Sequence, residues 1–361
     1  MGAEKKKRDL SLEIMRLVAM FFVIFNHTGL KGYFLFADCK QGSPAFWIYM
    51  AMSVLDKFAV PLYFMISGAL LLGKDEDLGT LFRKRISKTA LSLLVISAVY
   101  YLIDMTNGTI RYKGVENILD FFVRLCCGNV KFHLWFLYSY LIFLLILPFL
   151  RKIVKGLNNK EFIYMFILCL SIMVLKPVFE YTFFSGKHLH YTLDLLETNN
   201  IVFPILGYYL YHKVDIGAMK KRWLAAAWGI NLVLTVVACI LTYIRIKQTG
   251  KVDEDHSQQF HRMFAMINAV TVFITIKRLT PDVKNKVVSW FICTAGGCTF
   301  GIYLFHPMLM KDTQMVELWD TLSKVIPNQM IATLIFCLVI FLVAMIFTFL
   351  LKLIPFVKKL L

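Results

Sequence analysis

The chain has 361 residues, of which 58% are hydrophobic and only 17% charged, and its mean hydropathy is +0.65. Soluble domains carry about a quarter charged residues, so this composition excludes an ordinary soluble domain and specifies an integral membrane protein. A net charge of +17 would suggest a nucleic-acid partner in a soluble chain. Here the lysines and arginines cluster between apolar runs, as they do in loops facing anionic lipid, and no nucleic-acid partner is expected.

The N-terminal MGAEKKKRDLSLEIMR has the basic flank of a signal peptide, but no small-x-small cleavage site follows the apolar stretch, so it reads as a retained first helix. Apolar runs of about 20 residues suffice to cross a hydrocarbon core. They predict ten membrane helices near residues 12–30, 47–73, 87–105, 132–150, 161–179, 197–212, 223–245, 260–278, 288–310 and 330–354. A short amphipathic helix is predicted near 116–128. Short loops, and the absence of a convincing internal repeat or low-complexity segment, make residues 1–361 one domain. The expected fold is therefore all-α: a single bundle of about ten transmembrane helices.

Basic residues collect on one side of this bundle: Lys5–Arg8, Arg83–Arg85 with Lys88, Arg151 with Lys152, Lys220–Arg222, and Lys277 with Arg278. The positive-inside rule then places both termini in the cytoplasm. The eight cysteines form no CxxC pair and no Cys/His cluster at metal spacing, so neither a metal site nor a disulfide framework is expected.

Within the first helix, EIMRLVAMFFVIFNHTG, two ionisable residues stand out. Arg16 and His27 are eleven positions apart, which is about 16 Å of helix and close to three whole turns, so both project from nearly one face. A charge near a membrane core costs about 3 kcal/mol, which favours a role for the pair. Snorkelling to the headgroups is the alternative for Arg16, and a satisfied interfacial histidine the alternative for His27. Imidazole is the side chain best suited to proton transfer near neutral pH.

The sequence resembles the type-3 membrane acyltransferase family. The resemblance rests on Arg16, ten residues and His27 as an R-x10-H signature with Glu13 three before the arginine, on VPLYFMISGALLL in the second span, and on FRKRISK entering the third. It continues through HLWFLYSYL opening the fourth span and GIYLFHPML in the ninth. It is most similar to the stand-alone members that O-acetylate surface carbohydrates, such as the enterobacterial common antigen type. The resemblance implies acyl transfer, usually acetyl, from a cytoplasmic acyl-CoA to a hydroxyl of a glycan or lipid-linked sugar at the cell membrane, with no permanently bound cofactor. His27 would be the catalytic residue, as general base or as acyl carrier, and Arg16 would hold part of the donor.

The family's R-x-x-R element, thought to contact the CoA phosphates, appears here as Arg85 followed by Lys88, with Arg83 nearby. The lysine offers a point charge where arginine offers a planar fork. An inside-positive topology signal is the alternative reading of this cluster. On the acceptor side the candidates are His133, Trp135, His306 and Glu180, the last heading a polar stretch with His188, His190, Asp194 and Glu197. An aromatic-belt role is the alternative for Trp135, and a solvated loop for the polar stretch.

No GxSxG, GxxxxGK[ST], HExxH or GxGxxG element is present, which leaves hydrolase, P-loop, zincin and dinucleotide readings without support. No appended esterase-like domain is seen either, so the acceptor reaches the bundle directly or a separate extracytoplasmic partner takes the acyl group. The reading from another functional class is a transporter or flippase of a lipid-linked saccharide. A non-catalytic membrane scaffold is a third.

Overall fold

The computed structural model describes residues 8–110, 114–180, 200–250, 252, 260–280, 283, 285–311 and 316–361. Among them every regular element is helical, and the predicted candidates His188, His190, Asp194 and Glu197 lie outside them. Helix α1 (Leu10–Asn26) is capped by Asp9, whose carboxylate accepts a hydrogen bond from the Ser11 amide at 2.9 Å, and it ends at His27. This is a side-chain cap on an otherwise unpartnered helix start.

The predicted second span is two helices. Helix α2 (Pro44–Asp56), capped by Ser43, gives way at Lys57 and Phe58 to α3 (Ala59–Leu71). The break carries a buried carboxylate, Asp56, which accepts a hydrogen bond from Asn26 Nδ2 at 2.5 Å. Lys57 lies over the Tyr33 ring at 4.2 Å. Helix α4 (Leu78–Thr106) contains one π turn at Phe82–Ile86, and α5 (Val115–Cys126) is the predicted amphipathic segment. Helices α6 (Phe132–Gly156) and α7 (Asn159–Val178) follow, the latter opening with an Asn158/Glu161 capping box.

The remaining helices are α8 (Val202–His212), α9 (Lys221–Thr249), α10 (Ala265–Leu279), α11 (Lys286–Lys311), α12 (Val316–Val325), α13 (Gln329–Leu351) and α14 (Pro355–Leu360). Among the described residues seven segments are long and apolar enough to cross a membrane: α2 with α3, α4, α6, α7, α9, α11 and α13. The other three predicted spans are shorter, α1 at 17 residues, α8 at 11 and α10 at 15. These three are wrapped by neighbours. Helix α1 packs on α3, α10, α11 and α13, and α8 lies along α3.

The α3–α8 contact is backbone on backbone. Gly68 lies against the Pro204 backbone, and Gly207 lies against that of Met65. Small residues permit such an approach where helices pack in an apolar medium. A methyl group at Gly207 has no room, whereas Gly229 in α9 faces open space. Gly207→Ala is therefore expected to destabilise the purified protein by about 1–3 kcal/mol. Gly229→Ala is expected to stabilise it by about 0.5–1 kcal/mol. Thermal unfolding in detergent compares the two, and equal melting temperatures would contradict the close approach.

Candidate active site

The C-terminal end of α1 delivers His27 to the last turns of α11. His27 Nδ1 lies 3.0 Å from His306 Nε2, with ring centroids 5.0 Å apart. His306 is fully buried, and its Nδ1 lies 3.1 Å from the Ile302 carbonyl and 2.9 Å from the Tyr303 carbonyl. Carbonyl oxygens only accept, so Nδ1 of His306 must carry a proton. In the neutral ring its Nε2 is then an acceptor, which requires Nδ1–H on His27. The remaining nitrogen of His27, Nε2, is left with its lone pair.

That histidine borders a cavity of about 150 Å³. His133, Lys131 and Lys311 supply its other polar groups, and Tyr100, Phe132, Pro307 and Met310 its walls. His133 is 5% exposed, and its Nε2 has no hydrogen-bond partner among the described residues. The wall is stitched across three helices. Tyr100 of α4 donates to the Leu304 carbonyl at 2.8 Å, and Tyr303 of α11 donates to the His133 carbonyl at 2.5 Å.

At the opposite end of α1, Arg16 Nη1 donates to Glu13 Oε1 at 2.7 Å, and Arg8 Nη1 lies 3.8 Å from the same oxygen. Arg8 also donates to the Cys293 carbonyl at 3.1 Å. Glu13 is buried against Gly296 of α11, and Lys352, just past α13, donates to the Gly297 carbonyl. Lys352 faces the charges of Lys88, Arg8 and Lys358, so α1, α4, α11 and α13 converge there on a cluster of cations. Arg85 binds Glu76 through Nε at 2.9 Å, and Arg151 reaches the same carboxylate at 3.0 Å. Arg83 is exposed and, among the described residues, hydrogen-bonds only the Gly79 carbonyl, at 3.4 Å.

Of the acceptor-side candidates, His133 joins His27 at the cavity. His306 sits behind His27 instead of facing the cavity, because its Nδ1 is held by the backbone of its own helix. Neither Trp135 nor Glu180 lines the cavity. Sequence reasoning also passed over Asp56 and Lys57 at the broken span, where Asp56 holds Asn26, the residue before His27, as well as Lys311 at the cavity and Lys352 at the cation cluster. The signal for the first two was an ionisable pair inside an apolar run, which marks function by default. No group of three or more metal-ligating side chains occurs among the described residues.

Residues 9–353 match the sequence profile of an acyltransferase domain. The chain belongs to the type-3 acyltransferase family. No curated protein and no solved structure matches it. It is thus an all-α, multi-pass membrane acyltransferase, and the histidine pair and the cation cluster occupy opposite ends of one helix.

Asp9 fixes the start of that helix. Its Oδ2 accepts from Lys277 Nζ at 2.6 Å and from the Tyr211 hydroxyl at 2.7 Å, tying α1 to α8 and α10. Burial opposes its ionisation, but the hydrogen bonds from Lys277, Ser11 and Tyr211 and the Lys277 charge outweigh this and lower its pKa from 3.8 to about 2. A carboxyl depressed on folding adds stability above its unfolded value and loses it as pH falls through the folded value. Asp9→Asn should therefore lower the melting temperature at neutral pH, with the deficit shrinking as pH is taken from about 4 to about 2. A deficit independent of pH would refute the charged clamp.

Proposed function

We propose that this acyltransferase takes an acyl group, acetyl in the first instance, from a cytoplasmic acyl-CoA and transfers it to a hydroxyl of a cell-surface glycan or lipid-linked sugar. The observation that carries the reading is the His27–His306 hydrogen bond at 3.0 Å, which leaves Nε2 of His27 as an acceptor beside a cavity. In this reading the protein sits in the cell membrane with both termini in the cytoplasm, as the basic ends of its helices favour. The cations around Lys352, with Arg16 and the R-x-x-K pair Arg85 and Lys88, meet the CoA phosphates. The pantetheine arm carries the thioester along α1.

The acceptor hydroxyl enters the cavity from the other side. His27 Nε2 takes its proton as the oxygen attacks the thioester carbonyl, the C–S bond breaks, and the CoA thiolate leaves and recovers a proton from the imidazolium. His306, uncharged throughout, holds the tautomer and orientation of His27. The lone pair on Nε2 suits general-base action on the hydroxyl, and an acyl-histidine formed at the same nitrogen is the alternative. The acceptor reaches the bundle directly, with no separate extracytoplasmic partner needed for the step.

Two expected outcomes test the reading. With radiolabelled acetyl-CoA and detergent-purified protein, His27→Ala should cut donor turnover by about 10²–10⁴-fold, the span of general-base effects, while membrane insertion is preserved. Full turnover in the variant would remove imidazole from the mechanism. His306→Ala should cost about 10–100-fold, as loss of an orienting partner does. His306→Gln, whose amide oxygen accepts a hydrogen bond, should recover part of that loss; if Gln is no better than Ala, His306 serves only packing.

A further inference from the structure

We propose that the cavity beside His27 is an anion subsite, and that the acceptor carries a phosphate or carboxylate close to the hydroxyl that is acylated, held by Lys311 and His133. The proposal rests on the acyl-transfer reading and specifies its acceptor. Among the described residues two cations and no carboxylate line the cavity, but the cations are not equivalent. Lys131 Nζ is paired with Asp104 at 2.8 Å. Lys311 forms no hydrogen bond or ion pair among the described residues, and its side chain is exposed.

A lysine in the last turn of a helix is favoured by the helix dipole alone, so a second observation is needed. His133 supplies it. Its Nε2 is buried and unpartnered in a ring that lines the same cavity. Buried polar atoms are almost always hydrogen-bonded, and the cavity is where a ligand atom would complete this one. His27 Nε2, Nε2 of His133 and the Lys311 ammonium thus offer three points of attachment to one small polar molecule.

Charge balance adds a reason for the anion. When His27 takes a proton, a second unpaired positive charge forms at the cavity that Lys311 also lines, and the two repel. An acceptor anion beside Lys311 cancels one of them. The cavity also adjoins exposed apolar side chains. Phe132 on its rim is 84% exposed, and the nearby α5 exposes Ile118, Leu119 and Phe122, while Asp120 pairs with Arg124 on that helix at 2.7 Å. Such a helix lies in the interface plane. The anion then has two sources, the phosphate of a lipid-linked sugar or the carboxylate of a sugar acid.

Amine-reactive labelling of detergent-purified protein, quantified at Lys311 by peptide mass spectrometry, tests this without acyl-CoA. Glucose, glucose 1-phosphate and glucuronate are the probes. Both anions, or one, should protect Lys311 while glucose does not; protection by phosphate alone assigns the lipid-phosphate source, and by glucuronate alone the sugar acid. His133→Ala should weaken the protection about tenfold, or 1.4 kcal/mol. In Lys311→Gln the charged sugars should lose their advantage over glucose in thermal stabilisation, and Lys311→Arg should keep it. Equal protection by glucose, no protection by either anion, or an undiminished advantage in Lys311→Gln would overturn the subsite. Donor turnover lost in His27→Ala, measured separately, stands or falls independently of these outcomes.

Discussion

A hydrogen bond between two neutral imidazoles admits only one direction once a third partner is fixed. The carbonyls of Ile302 and Tyr303 fix it here. They belong to α11, so the helix that buries His306 also sets the protonation pattern of His27 on α1. The rest of the bundle serves to keep α1 and α11 in that register. Contacts between these two helices extend from Glu13 against Gly296 at one end to His27 against His306 at the other, and α13 closes over both.

Holding α1 in the centre has a structural requirement. A helix of 17 residues with an arginine and a glutamate inside it and a histidine at its C-cap gains little from lipid, and its polar groups need partners inside the protein. Glu13 takes Arg16, Asp9 takes Lys277 and Tyr211, Asn26 takes Asp56, and His27 takes His306. Every one of these bonds except the first crosses to another helix. The Asn26–Asp56 bond is made at the end of α2, just where the second span breaks; Pro61, four residues after Lys57, has no amide hydrogen to carry the helix through that turn.

Much of this was legible in the sequence. The eleven-residue spacing put Arg16 and His27 on one helix at two depths, and the apolar runs located the long helices and the amphipathic α5. What periodicity conveys is the contact of a residue with its own helix or with a generic core. It does not convey which histidine of a distant helix will stand behind His27, so His306 was grouped with the acceptor residues. Asp56 and Lys57 were absorbed into a long apolar run whose average hydropathy hid the break. Arg85 was read by its spacing to Lys88, whereas its partner in space, Glu76, lies nine residues earlier in a loop.

The backbone contact between α3 and α8 bears on how the protein is made. An 11-residue helix is too short to partition into a bilayer by its own hydropathy. Its closest packing is in the groove along α3, where Gly68 makes room for the Pro204 backbone and Gly207 for that of Met65. That groove is synthesised long before α8 emerges, with the long apolar helices α4, α6 and α7 made in between. During biogenesis α8 is therefore a latecomer to the α3 surface, docking there only after the intervening helices have been made.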